Sequence, residues 1–160
     1  MERRGERELE RAGGRGTIAS NGKPVESVWD FPRPPAVDRV DWRIRVVHAG
    51  TTIVDAPFAV RVLETSQAPA YYVASEFVSD QFLAASKRTS GCEWKGVASY
   101  ADVTVPGAAV ANEACWTYRD PTPRFEPIRD HWAFYAQALD ECWVDDEMVD
   151  PNEGDFYGGW

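Results

Sequence analysis

Trp42, Ile44 and Val46 alternate with Arg43 and Arg45 through residues 41–48. A period of two is the pattern of a strand with one wet face. Ala49, Gly50 and Thr51 then turn the chain and residues 52–55 return, so the pair reads as a hairpin. Comparable short runs recur at 60–64, 71–73, 98–105, 108–118 and 143–149, with 98–105 and 108–118 joined across Pro106 and Gly107. Connections this short leave no room for crossover helices, which makes the sheets antiparallel.

Two segments read as helices. Residues 75–85 carry Ser75 as an N-cap and place Phe77, Val78, Phe82 and Leu83 near one face. Residues 124–139 give the stronger signal, with Ile128, Trp132, Tyr135 and Leu139 at helical spacing and His131 beside that stripe. Residues 87–91 read as a loop. The sum is about seven short strands and two helices, a mainly β (α+β) chain.

Length and charge set the domain plan. The 160 residues fit one domain with a sizeable core. Residues 1–25 read as a flexible extension, because they are rich in Arg, Glu and Gly and poor in apolar side chains. Residues 26–160 form the domain. The chain's net charge of −9 is concentrated at the end, where residues 140–160 hold eight Asp or Glu and no Lys or Arg. An acidic domain repels a phosphate backbone, which argues against nucleic acid as a partner. No apolar run is long enough to span a bilayer, so no membrane partner is expected. Cys92, Cys115 and Cys142 make an odd number with no CxxC pair, and only two histidines accompany them. Neither a structural metal site nor any other cofactor is therefore expected, and free thiols suit a cytoplasmic location. A homodimer is compatible with the sequence.

The chemistry concentrates in residues 89–100, TSGCEWKGVASY. Lys95 lies between Trp94 and Gly96, where its ammonium can rest on an aromatic face and bind an anionic group, or act as a base if burial discharges it. Its stem could equally just cover Trp94. Glu64 ends a strand-like run beside two hydroxyls, Thr65 and Ser66, and is the candidate to pair with Lys95 or Arg33, or to serve as general acid or base. Trp94, Tyr100, Trp116, Tyr118, Tyr71 and Tyr72 offer flat walls with polar tips, as either pocket or core. Cys92 is a thiol close to Lys95. Residues 26–35, ESVWDFPRPP, follow an extended path enforced by three prolines, with Trp29 to anchor it and Arg33 held between prolines. This arm either packs on the domain or closes over the site.

Several segments together carry a family resemblance: ESVWDFPRPP at 26–35, VRVLETSQAPAYY at 60–72, RTSGCEWKGVASYADV at 88–103, the run from Ala114 to Val149, and DFYGGW at 155–160. From Glu26 onward the chain resembles the family known as domain of unknown function 427, also labelled as a nucleotidyltransferase. The resemblance implies a β-tent, two antiparallel sheets pinned along one edge, a fold shared with the ligand-binding domain of cereblon but lacking its zinc. The nucleotidyltransferase label finds no echo in the residues. No Gly-rich phosphate loop precedes a helix, and no close aspartate pair suits magnesium. The function expected is small-molecule binding in a pocket of Trp94, Lys95, Tyr100, Glu64 and Trp116, with Tyr72, Tyr118 and Cys92 nearby and the arm of Trp29 and Arg33 closing it. Glu64 or Lys95 would transfer a proton if the domain is an enzyme. The alternative is a non-catalytic module that presents its aromatic surface to another protein.

Overall fold

The computed structural model describes residues 22–150 and 159–160. Most of the expected flexible extension, residues 1–21, lies outside the described residues. Among the described residues, eleven strands build two antiparallel sheets. The strands are β1 (Ala36–Val40), β2 (Ile44–His48), β3 (Thr51–Ala56), β4 (Ala59–Leu63), β5 (Ala70–Ala74), β6 (Leu83–Cys92), β7 (Gly96–Val103), β8 (Ala111–Tyr118), β9 (His131–Phe134), β10 (Glu141–Val144) and β11 (Glu147–Met148). The larger sheet runs β1-β4-β5-β9-β8-β7-β6 and the smaller β11-β10-β2-β3. The mainly β architecture is as the short alternating runs require.

The two expected helices are absent as such. Residues 75–85 hold two 3-10 turns, Ser75–Phe77 and Asp80–Phe82, followed by the start of β6. Residues 124–139 hold the 3-10 turn Pro123–Ile128, then strand β9, then the 3-10 turn Ala136–Ala138. Pro127 sits inside the first of these turns and Asp130 adopts φ 56°, so an α-helix cannot run through. The freed segment inserts as β9 between β5 and β8, with Trp132 opposite both Val73 and Thr117. Residues 87–91, expected as a loop, belong to β6, an edge strand paired only with β7. Among the described residues no helix is long and apolar enough to cross a membrane.

Both faces of the larger sheet are used. Because successive side chains of a strand point to opposite faces, Tyr71 and Val73 turn one way and Tyr72 the other. Tyr71, Val73, Val103, Cys115 and Phe134 join Ile44, Val46, Ile53, Val54 and Val144 of the smaller sheet in the main core. Tyr72 joins a second cluster on the opposite face, with Val60, Val62, Ala98, Tyr100, Trp116, Tyr118 and Ala133. These residues share a face because they lie opposite one another in register: Val60 with Tyr72, Tyr100 with Trp116, Trp116 with Ala133. Phe125 and Ile128, both fully buried, cap this cluster from the 3-10 turn Pro123–Ile128.

Candidate functional site

A cavity of about 140 Å³ opens within the second cluster. Glu64, Tyr72, Lys95, Tyr100, Trp116 and Tyr118 all line it, joined by Val62, Gln67, Ala68, Ala70, Tyr135 and Gly159. Six residues singled out from the sequence thus meet at one place. Tyr72, Tyr100, Trp116 and Tyr118 arrive on β5, β7 and β8, with β9 between β5 and β8, and two arrive on turns.

Lys95 stands at the tip of the β6–β7 hairpin. Gly96 takes φ 109°, a region closed to most side chains, and a Cβ there would meet the Asp120 carbonyl at 3.3 Å. The loop carrying Thr122 fastens the tip from outside. The Thr122 amide donates to the Lys95 carbonyl at 3.0 Å and its hydroxyl donates to the Trp94 carbonyl. The ammonium is held inward, 5.9 Å from the centre of the Tyr118 ring.

Glu64 follows β4 at the start of a turn closed by a hydrogen bond from the Gln67 amide to the Glu64 carbonyl. The proline-rich arm braces that turn. The Ser66 amide donates to the Val28 carbonyl at 2.8 Å and the Thr65 hydroxyl donates to the Phe31 carbonyl. This is where the arm's contribution differs from expectation. Trp29 is 48% exposed, Arg33 is exposed, and neither lines the cavity. The prolines direct the arm's backbone, not its side chains, toward the site. Trp94 and Cys92 pack against the cluster from outside the cavity wall.

Glu64 Oε1 and Lys95 Nζ lie 4.0 Å apart, with side chains 21% and 12% exposed. That gap is too long for a hydrogen bond. On the Tyr72 ring, the phenol oxygen accepts from Trp116 Nε1 at 3.0 Å. Tyr100 and Ser90 share a hydrogen bond of 2.9 Å, and the Arg88 guanidinium covers the Tyr100 ring at 4.3 Å. Burial pushes the Tyr72 and Tyr118 phenols well above the ordinary tyrosine range, so both are neutral donors at any physiological pH. Among the described residues, the Glu64 carboxylate, the Lys95 ammonium and the Tyr118 hydroxyl make no hydrogen bond, and Tyr72 accepts one without donating one.

The cavity contains elements the sequence reading missed. Tyr135, whose ring centre is 4.6 Å from that of Trp116, falls at helical spacing in the sequence but lies on no helix. Its real neighbour is β9, which delivers it to the same face as Trp116. Gly159 forms part of the wall, and a Cβ there would lie 2.0 Å from the Ala68 carbonyl oxygen. Trp160 locks this close approach: its amide donates to the Pro69 carbonyl and its indole to the Phe134 carbonyl, both at 2.8 Å. The aromatic, Gly-rich end of the sequence was the available signal for this wall.

Among the described residues, no group of three or more His, Cys, Asp or Glu is placed to hold a metal ion. Cys115 and Cys142 are buried among apolar side chains, and burial pushes the Cys142 thiol up to about 12 and Cys115 higher still. Neither is available as a nucleophile.

No curated protein shows significant similarity to the chain. A family model described as a domain of unknown function, DUF427, matches residues 36–145, more than half of the chain and every strand from β1 to β10. The match takes in Glu64, Tyr72, Lys95, Tyr100, Trp116, Tyr118 and Tyr135 together, and the chain belongs to the DUF427 family.

Proposed function

We propose that this domain binds a small molecule in the Glu64–Lys95 cavity, and that this pair moves a proton to or from it. The observation that carries the reading is the set of unspent polar groups facing one small space. A buried ion pair that serves only the fold closes to direct hydrogen bonds, because unsatisfied buried charge is costly. Here a carboxylate, an ammonium and two phenols are kept near one another without bonding to one another. Aromatic walls with a few convergent polar groups are the usual composition of a ligand site.

The reading as a protein-docking module gains less support. Among the described residues the large exposed apolar side chains are Trp29, Val97, Val110 and Met148, which stand in the turn Val28–Asp30, on β7, in the loop before β8 and on β11.

Thermal unfolding of the wild type and of Lys95→Ala against a panel of small heterocycles, ketones, nucleotides and carboxylic acids tests the proposal. A compound that binds only the native state raises the melting temperature by mass action. Stabilisation of the wild type that Lys95→Ala loses is the expected outcome. A panel that stabilises neither protein removes the cavity as a binding site.

A further inference from the structure

The hydrogen-bonding balance of the cavity restricts what it can hold. Among the described residues, Glu64 and Lys95 are the only charged ones in its lining, and their charges cancel. A bound carboxylate would leave one negative charge uncompensated in a half-buried space, which is unfavourable. A neutral molecule keeps the balance. The polar tips are also unequal in kind. Lys95 can only donate, Tyr118 has a free hydroxyl, and Tyr72 already uses its oxygen as an acceptor from Trp116, which leaves it a hydrogen to give. Tyr72 is 1% exposed, so no bulk water meets that hydrogen. Among the described lining residues Glu64 is the one charged acceptor, with the Gln67 amide and the phenol oxygens as neutral ones. Lys95, Tyr72 and Tyr118 each keep a hydrogen to give, and a ligand that presents oxygen matches these three donors. A volume of about 140 Å³ against about 30 Å³ for a water molecule allows a ring or chain of roughly six to eight non-hydrogen atoms.

We infer that the cavity takes a small neutral carbonyl compound with an acidic α-hydrogen, its oxygen toward Tyr72, Tyr118 and Lys95 and its α-carbon toward Glu64. This inference rests on the cavity being a ligand site and names the class of ligand and reaction. In the step it performs, the α C–H bond breaks and the proton passes to a Glu64 oxygen. The electron pair forms the C=C bond and the charge settles on the former carbonyl oxygen as an enolate. Phenols and an ammonium aimed at that oxygen stabilise charge that develops only during the reaction, which is how fixed donors accelerate it. Glu64 then returns a proton to the same or a conjugated carbon. Atoms and electrons balance without a further reactant. The buried phenols stay protonated throughout, because burial opposes their ionisation.

The test uses the full chain in D₂O with cyclopentanone, cyclohexanone and dihydroxyacetone, and with cyclopentanecarboxylate as the charged counterpart. Binding is followed by saturation-transfer NMR and α-hydrogen loss by proton NMR. The expected result is binding of at least one neutral compound, with α-hydrogen exchange at least about tenfold faster than with Glu64→Gln. Tyr118→Phe lowers exchange, and so does Tyr72→Phe. If one of these phenol variants does not fold, the other carries the test. Binding of the carboxylate with no binding of the ketones overturns the ligand class and leaves the cavity as a site. Ketone binding with exchange unchanged in Glu64→Gln overturns the proton transfer. Binding of none of the four, with no hit in the broader thermal panel, removes both proposals.

Discussion

Arg61 and Lys95 are both largely buried cations near the Tyr71–Tyr72 pair of β5, yet they are treated in opposite ways. Arg61 faces the side of Tyr71. Its guanidinium holds Glu26 at 3.0 and 3.2 Å and Asp38 at 2.7 Å, and it lies 5.1 Å from the Trp42 ring centre. These bonds hold its charge in place more strongly than burial disfavours it. Lys95 faces the side of Tyr72 and stops 4.0 Å short of its carboxylate. Arg61 ties the segment before β1 to β4 and β1, so its bonds are spent on the fold. The Glu64–Lys95 bonds are withheld, and the groups stay available to a molecule entering the cavity. One strand thus separates a structural ion cluster from a chemical one.

Breaking the Arg61 cluster gives the largest expected effect. Arg61→Met strands two carboxylates, and we expect a loss of roughly 3 kcal/mol, at the low end for a buried pair because Glu26 and Asp38 keep some exposure. Chemical denaturation checks it, and ligand binding per folded molecule should be unchanged. Next comes Gly159→Ala. The added methyl cannot fit beside the Ala68 carbonyl, and overpacking of this kind costs about 2 kcal/mol. Release of the Trp160 indole from Phe134 should accompany it, visible as a shifted indole resonance. High pH sharpens the comparison from another side. Cys115, Cys142, Tyr72 and Tyr118 all bind protons more tightly in the folded state. Their stabilising contribution is complete below the thiol's ordinary value near 9 and is lost as pH rises from there past 12. The urea midpoint should therefore hold from pH 7 to 8.5 and fall at pH 10. The smallest effect on stability is expected from Glu64→Gln, about 1 kcal/mol, because the Lys95 ammonium loses its counter-charge but keeps some exposure and no hydrogen bond of the fold is lost. Ligand binding or proton exchange should nonetheless suffer most in that variant.

What the sequence reveals divides along physical lines. The hairpin of Trp42, Ile44 and Val46 is legible because one face is wet and one is dry, and alternation records that directly. Strand β6 is not, since an edge strand paired on one side carries Ser86, Lys87, Arg88, Thr89 and Ser90 in a row that resembles a loop. Ile128, Trp132, Tyr135 and Leu139 mislead because a spacing of three to four also suits a turn, a strand and another turn that each bury one or two residues. Pro127 was the visible objection to a helix there. The site fared better. Lys95, Tyr100, Trp116, Tyr118 and Glu64 stand at strand ends or alternate along strands, positions that a sheet brings together. Tyr135 and Gly159 depend on tertiary placement that no local pattern carries.

The indole of Trp116 offers the most direct reading of cavity occupancy, since its N–H ends on the Tyr72 oxygen inside the cavity. The indole of Trp143 donates to Glu141 on the smaller sheet and serves as the internal reference. Indole N–H resonances in ¹H–¹⁵N spectra, followed across the compound panel, should show Trp116 moving with at least one compound while Trp143 stays fixed, and the movement should vanish in Lys95→Ala. A Trp116 resonance that stays fixed across the whole panel, or that moves equally in Lys95→Ala, would contradict the assignment of this cavity as the binding site.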